Sequence, residues 1–333
     1  MRNTREPLFD FYRSIFMLFV FWHHFYLTFP DLFDYVKWFN PFAELFVGLA
    51  GFMIGWIYLK RNQDLKLFKK GFQVIGAYLL VAVPFQMLIN PSWQSLADVL
   101  LLNTSDTFIE ILKFYGILFL IVPLLLTAFR KARVLVIALS IAVYLVGLFV
   151  HLEGVFWDST LNLLIIYQFY FVLGVWLGEL YDKKRLLNRQ TIKLLLICSV
   201  LAIIAQISYF GFGVDEYPYN FQKALNNVYL IPVCLYTIYK LHHSIIFTWI
   251  YNQVNVIGRH SLAAFVISEI IRVLWLFIPV VMFDVTINEF EATVISLFFA
   301  ALLIWLVHQY AKLKLFLGGL KYAANNHLRL YRN

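Results

Sequence analysis

Ten apolar runs divide this 333-residue chain, and every second segment between them is basic. A membrane-crossing helix needs roughly 17–25 mostly apolar residues. The runs at 8–29, 39–59, 72–89, 108–128, 134–150, 161–180, 191–210, 225–239, 260–283 and 291–311 meet that length or come close to it. Hydrophobic residues make up 62% of the chain and charged ones 14%, whereas a soluble domain carries about 25% charged residues. No single globular core could hide so much apolar surface, so the bilayer is the solvent. The expected fold is all-α: one polytopic helical bundle over residues 1–333, with about ten transmembrane helices. Ser92 to Asn103 is too short to cross and is amphipathic, and is expected to lie along the interface.

The loop charges orient the bundle. Of the 27 Lys and Arg residues, 21 fall in alternate loops and the two termini. Only Lys37 and Lys223 occupy the other loops, and Arg13, Lys113, Lys193 and Arg272 lie inside runs. This alternation is the positive-inside pattern of an even number of spans, and it predicts cytoplasmic N- and C-termini. The net charge of +8 is spread over short loops, without a basic helix face or stacking platform, so no nucleic-acid partner is expected. Cys198 and Cys234 sit inside apolar runs, which argues against a disulfide or a metal site. No small-residue cleavage site follows the first run, so it is expected to persist as a span.

Ionisable groups within a span cost about 2.5–3.5 kcal/mol each on insertion scales and need a reason. Arg13 and His24 stand eleven residues apart. At about 100° per residue they share one stripe, about 16 Å apart along the axis, with Asp10 one turn before the arginine. His23 points away from that stripe. Glu44, Gly48, Gly51 and Gly55 form another stripe, on the second run. Its glycines either admit a closely packed helix or line a slot for a slender ligand. Glu44 lies at a depth similar to that of His24, and a carboxylate beside an imidazole fixes its tautomer and raises its basicity. Two readings fit these groups: a reactive His24–Glu44 pair above a cationic Arg13, or a snorkelling arginine with an interfacial histidine.

Further segments stand out. "LKFYGILFLIVPLLL" carries Lys113 and Tyr115, "YQFYFVLGVWLGEL" carries Gln168 with Gly174 and Gly178, and "IGRHSLAAF" carries Arg259, His260 and Ser261. Each also has a plain reading, with Lys113 paired to Glu110, Gln168 bonded across helices and Arg259 snorkelling. Glu269 and Arg272 read as a buried i,i+3 ion pair that holds the bundle together. No phosphate-binding loop, nucleophile elbow or zinc-protease motif is present.

"REPLFDFYRSIFMLFVFWHHF", "NPFAELFVGLAGFMIGWIY", "ILKFYGILFLIVPLLL", "YQFYFVLGVWLG" and "IGRHSL", in this order, resemble the signatures of the OpgC family. That family transfers succinyl groups to osmoregulated periplasmic glucans, within the wider acyltransferase 3 group of membrane enzymes. The resemblance runs from Arg5 to about Phe265. It implies a bacterial inner-membrane enzyme in which Arg13 and His24 are the essential pair, with Asp10 and Glu44 beside them. Four positions depart from the family pattern: His23 replaces an aspartate, Ser14 a glycine, Ala50 a serine and Lys113 a proline.

The resemblance implies transfer of a small acyl group, succinyl or acetyl, from cytoplasmic acyl-CoA to a hydroxyl of an extracytoplasmic glycan, with no permanently bound cofactor and no metal. His24, Glu44 and Arg13 are then the catalytic candidates. Asp10, Lys69, Lys70, Tyr115, Gln168, Arg259, His260 and Ser261 are the substrate-binding candidates. Arg13, Lys69, Lys70 and Arg259 would suit the polyanionic CoA at the inner mouth, and its thin arm could follow the glycine slot. His24 would act as general base or as an acyl carrier. The same intramembrane charges would also serve a proton-coupled transporter or flippase of a glycan or anionic solute, or a non-catalytic assembly partner.

Overall fold

The computed structural model describes residues 7–26, 42–61, 64–103, 110–152, 160–183, 245–275 and 288–330, all helices, turns and short connections. The expected spans at 191–210 and 225–239, with Cys198 and Cys234, lie outside the described residues. The helices are α1 (Pro7–Tyr26), α2 (Phe42–Ile57), α3 (Asp64–Ile89), α4 (Trp93–Leu100), α5 (Glu110–Leu152), α6 (Thr160–Asp182), α7 (Ile245–Arg259), α8 (Ser261–Trp275) and α9 (Glu289–Leu330). They form two compact units. One combines the two ends of the chain, Met1–Phe29 with Tyr239–Asn333, and the other is Pro30–Ile238.

Among the described residues, Asp64–Leu88, Ile111–Gly147 and Phe290–Leu317 are each long and apolar enough to cross a membrane. Thr248–Arg259 and Ser261–Trp275 qualify together, as a pair bent by 92°. Many large apolar side chains face outward, among them Leu124, Val134, Leu135, Val146, Leu297, Phe298 and Phe316. Lipid is the solvent in which such surfaces are stable.

In the central unit, α5 doubles back on itself. Ala132 leaves the helical region (φ −143°, ψ 55°). The ring of Phe114 lies 5.5 Å from Tyr167, and that of Tyr144 lies 4.7 Å from Phe169. Thirty residues of straight helix would hold those two rings about 45 Å apart, yet both touch the same stretch of α6. Residues 110–131 and 133–152 are therefore two antiparallel arms, as the separate runs at 108–128 and 134–150 require. The basic turn Arg130–Arg133 joins them. Gln168 locks the second arm to α6, donating to the Ser140 carbonyl at 2.9 Å and accepting from the Ser140 hydroxyl at 2.6 Å. Gly71 and Gly116 let α3 lie against the first arm.

The glycine stripe on α2 is a helix contact. A Cβ at Gly51 or Gly55 would collide with the Phe171 or Val175 carbonyl, and one at Gly174 or Gly178 would collide with the Gly48 or Phe52 carbonyl. The expected ligand slot is thus filled by the backbone of α6, and only the packing alternative stands. The partners advance together along both chains, so α2 and α6 run parallel, as the second and sixth spans of an alternating topology must.

In the unit built from the chain ends, α1 and α8 are parallel and α8 and α9 antiparallel. Asp10 meets Gly258 while Phe25 meets Trp275, and His260 meets Tyr310 while Trp275 meets Phe299. Between the runs at 225–239 and 260–283, the residues before Arg259 read as a cytoplasmic loop. They form α7 instead, with Val254 to Gly258 buried. Gly258 makes this possible, since any side chain there would strike the Asp10 carbonyl. Ser14 completes the joint by accepting from the Gly258 N–H and donating to the Asp10 carbonyl, both at 2.8 Å. The departure from glycine at position 14 thus has a structural use. α9 opens with a capping box, in which Asn288 and Glu291 exchange bonds of 3.0 and 2.9 Å, satisfying otherwise orphaned amides.

Gly174→Leu should abolish α2–α6 packing, because backbone lies where the side chain must go. Core overpacking costs about 1–3 kcal/mol or more, so a clear fall in melting temperature is expected in detergent. Gly76→Ala, which meets nothing within 4 Å, should leave the melting temperature unchanged or slightly raised.

Candidate active site

The stripe of α1 that bears Asp10 and His24 is the one turned toward the bent pair α7–α8. At one end, Asp10 is buried and holds Arg13 at 3.7 Å. Arg13 keeps a quarter of its side chain exposed, as a guanidinium does when its stem is packed and its head is wet. Arg259 lies at the same end, next to Gly258, and is exposed.

Near the other end of the stripe, His24 enters a dry cluster. Its Nδ1 lies 2.8 Å from Oε1 of Glu269, and the other oxygen of that carboxylate accepts from Arg272 Nε, also at 2.8 Å. Glu269 and Arg272 are each 1% exposed and His24 is 12% exposed. Phe265 stands edge-on to the imidazole with centroids 6.2 Å apart. Ten residues further along α8, nearly three turns, Trp275 packs on Phe25 and Phe299. With Nδ1–H donated to a carboxylate, the neutral ring carries its lone pair on Nε2, the arrangement a general base needs. Arg272 holds the second carboxylate oxygen and thereby fixes the plane in which Glu269 meets the ring.

The carboxylate on His24 therefore comes from α8, 245 residues away in sequence. Glu44 lies in α2, within the other compact unit, and its side chain is outside those described, as is that of His23. The i,i+3 spacing of Glu269 and Arg272 was legible as an ion pair, and the structure contains that pair. Its extension to His24 was not legible, because no spacing within α8 can reveal a partner on α1.

The remaining candidates occupy several places. Lys69 and Lys70 are exposed on α3, with the Lys70 ammonium 5.5 Å from the centroid of Phe119. Tyr115 is buried among Phe46, Phe114 and Phe119, and Lys113 beside it is 1% exposed. Gln168 is the cross-helix lock between α5 and α6. His260 stacks edge-on to Tyr310, and Ser261 begins α8 directly after the bend. The structure thus joins Asp10, Arg13, Arg259 and His24 to one unit, while Lys69, Lys70, Tyr115 and Gln168 belong to the other.

A family model described as OpgC protein matches residues 68–315. The chain belongs to the OpgC family. The matched stretch covers Lys69 onward and takes in Gln168, Arg259, Glu269 and Arg272, whereas Asp10, Arg13, His24 and Glu44 precede it. No curated protein and no solved structure matches the chain significantly.

Truncating one partner of a buried ion pair costs about 3–5 kcal/mol, since the other charge is left buried. Glu269→Ala should therefore lower the melting temperature sharply. The double variant Glu269→Leu with Arg272→Met, which removes both charges, should recover much of the loss. Lys69→Ala, on an exposed surface, should melt like the parent.

Proposed function

We propose that this OpgC-family chain is a membrane-embedded O-acyltransferase. It would carry a small acyl group, succinyl or acetyl, from cytoplasmic acyl-CoA to a hydroxyl of an extracytoplasmic glycan. The observation that carries the reading is the buried relay His24–Glu269–Arg272 within a member of this family. The proposed setting is the bacterial inner membrane, with about ten spans and both termini cytoplasmic. The alternating loop charges support this topology, as do the helix directions within each unit.

In the proposed reaction, His24 Nε2 takes the proton of the acceptor hydroxyl as its oxygen attacks the thioester carbonyl. The C–S bond then breaks, and the CoA sulfur leaves with the proton returned by the imidazolium. Glu269 stabilises that imidazolium through Nδ1–H, as the orienting acid of a hydrolytic triad does. Arg272 holds the second oxygen of Glu269 and fixes its plane. Arg13 and Arg259, at the far end of the same unit, supply positive charge for the CoA phosphates. Their end of α1 carries the basic terminus, and His24 sits eleven residues further along, about 16 Å away on a helix.

Reconstituted in vesicles with acyl-CoA and a glucan acceptor, the parent should release free thiol and acylated glucan in equal amounts. His24→Ala should abolish both while the protein still inserts. His23→Ala should retain substantial activity. Glu269→Gln keeps the shape but loses the charge, and should lower turnover about a hundredfold or more, within the range assigned to acid–base groups. Glucan or solute movement without acyl-CoA and without acylated product would replace this reading by a transporter.

A further inference from the structure

The central unit carries a second charged site at the end where α2, α6 and the turn of the α5 hairpin meet. A cavity of about 600 Å³ opens there, walled by Gly55, Leu59 and Phe129 and by the charged residues of the turn. Five cations meet three carboxylates around it. Arg130 grips Asp64 through both terminal nitrogens at 2.7 and 2.8 Å and donates Nε to the Leu59 carbonyl at 2.8 Å. Glu179 accepts from Arg133 at 3.0 Å and from Lys183 at 2.5 Å. Lys60 pairs with Asp182. Lys131 lines the cavity, is exposed, and has no carboxylate partner among the described residues.

The site is therefore prepared on one side by fixed guanidinium groups and keeps a surplus of positive charge. Its rim is apolar: Val134 and Leu135, the next residues of the second arm, also line the cavity and are 77% and 58% exposed. A ligand that satisfies both features has an anionic phosphate head and an apolar tail running down the outer face of that arm. Leu139, Ile141 and Val146 continue that exposed apolar surface.

We propose that this cavity binds the phosphate headgroup of an anionic phospholipid. The lipid would sit on the basic turn with its acyl chains along residues 134–146. Basic pockets between transmembrane helices recognise such headgroups, and each Lys or Arg near the membrane surface strengthens binding about fivefold. The bound head would bridge α2, α6 and the turn of α5, where the cations outnumber the carboxylates. The site is independent of the acyl-transfer reading, because all its residues lie in the central unit and none belongs to the His24 cluster.

The full chain in detergent, titrated with phosphatidylglycerol or phosphatidylcholine and monitored by native mass spectrometry, tests this. Phosphatidylglycerol should be retained and should raise the melting temperature, whereas phosphatidylcholine should do neither. Lys131→Ala should weaken retention about fivefold, the loss of one headgroup-contacting cation, and Lys131→Glu should weaken it further. Both variants should melt like the parent without lipid, since Lys131 is exposed and pairs with no carboxylate among the described residues. Equal retention of the two lipids, or no effect of Lys131→Glu, overturns the proposal. Displacement of the bound lipid by free CoA at equal concentration would assign the pocket to a nucleotide phosphate and overturn it too.

Discussion

A single buried carboxylate, that of Glu269, ties the first helix of this molecule to its eighth. It accepts from an imidazole on α1 and a guanidinium on its own helix, with almost no solvent access. In a medium of low polarity neither charge could stand alone, and the attraction that joins them is stronger than in water. The sharing sets three things at once: the docking of α1 on α8, the tautomer of His24, and the depth at which a basic nitrogen is presented.

Backbone contact makes that docking possible. Gly258 brings α7 against the carbonyl of Asp10, and the Ser14 hydroxyl bridges the two helices. The chain then turns by 92° into α8, which carries Glu269 up beside His24. A bulkier residue at 258 would lift α7 and withdraw the carboxylate from the ring. The same device works in the other unit, where the glycines of α2 and α6 bring two parallel helices into backbone contact. Lipid provides no hydrophobic drive for helices to associate, so close approach and dispersion must supply it.

Much of this was legible from the residues. Apolar run length located α1, α3, α6 and α9, and the arithmetic of loop charge separated the two arms that α5 joins. The amphipathic 92–103 segment contains the short helix α4, capped by Ser92, whose hydroxyl accepts from Ser95 N–H at 3.1 Å. The His24 stripe was visible from a spacing of eleven, because a helix repeats its direction over that interval. What stayed hidden was partnership between helices. Glu44 and Glu269 look alike to a periodicity argument, since both are acidic residues in apolar surroundings. Only the bend before Ser261 determines that α8 supplies the carboxylate. The glycine stripe was ambiguous for a related reason, as a groove and a contact have the same spacing and differ only in what occupies them. The helix α7 was missed because its polar residues, Asn252, Gln253 and Asn255, disguise a buried face as a loop.

These distinctions bear on how the unit could work as an acyltransferase. A ligand path along α2 is closed, because the α6 backbone occupies the glycine stripe. His24 lies on the face of α1 that α7 and α8 cover, in the same unit as Arg13. That face is built from the two ends of the chain, and the family match begins only at residue 68. The residues that hold the histidine from α8 thus lie inside the matched region, while the histidine lies outside it. Glu269 and Arg272 supply the buried carboxylate and its guanidinium partner, and α1 supplies the imidazole. On the acyl-transfer reading neither segment would be a catalyst alone, because the imidazole and the carboxylate that orients it come from helices at opposite ends of the chain.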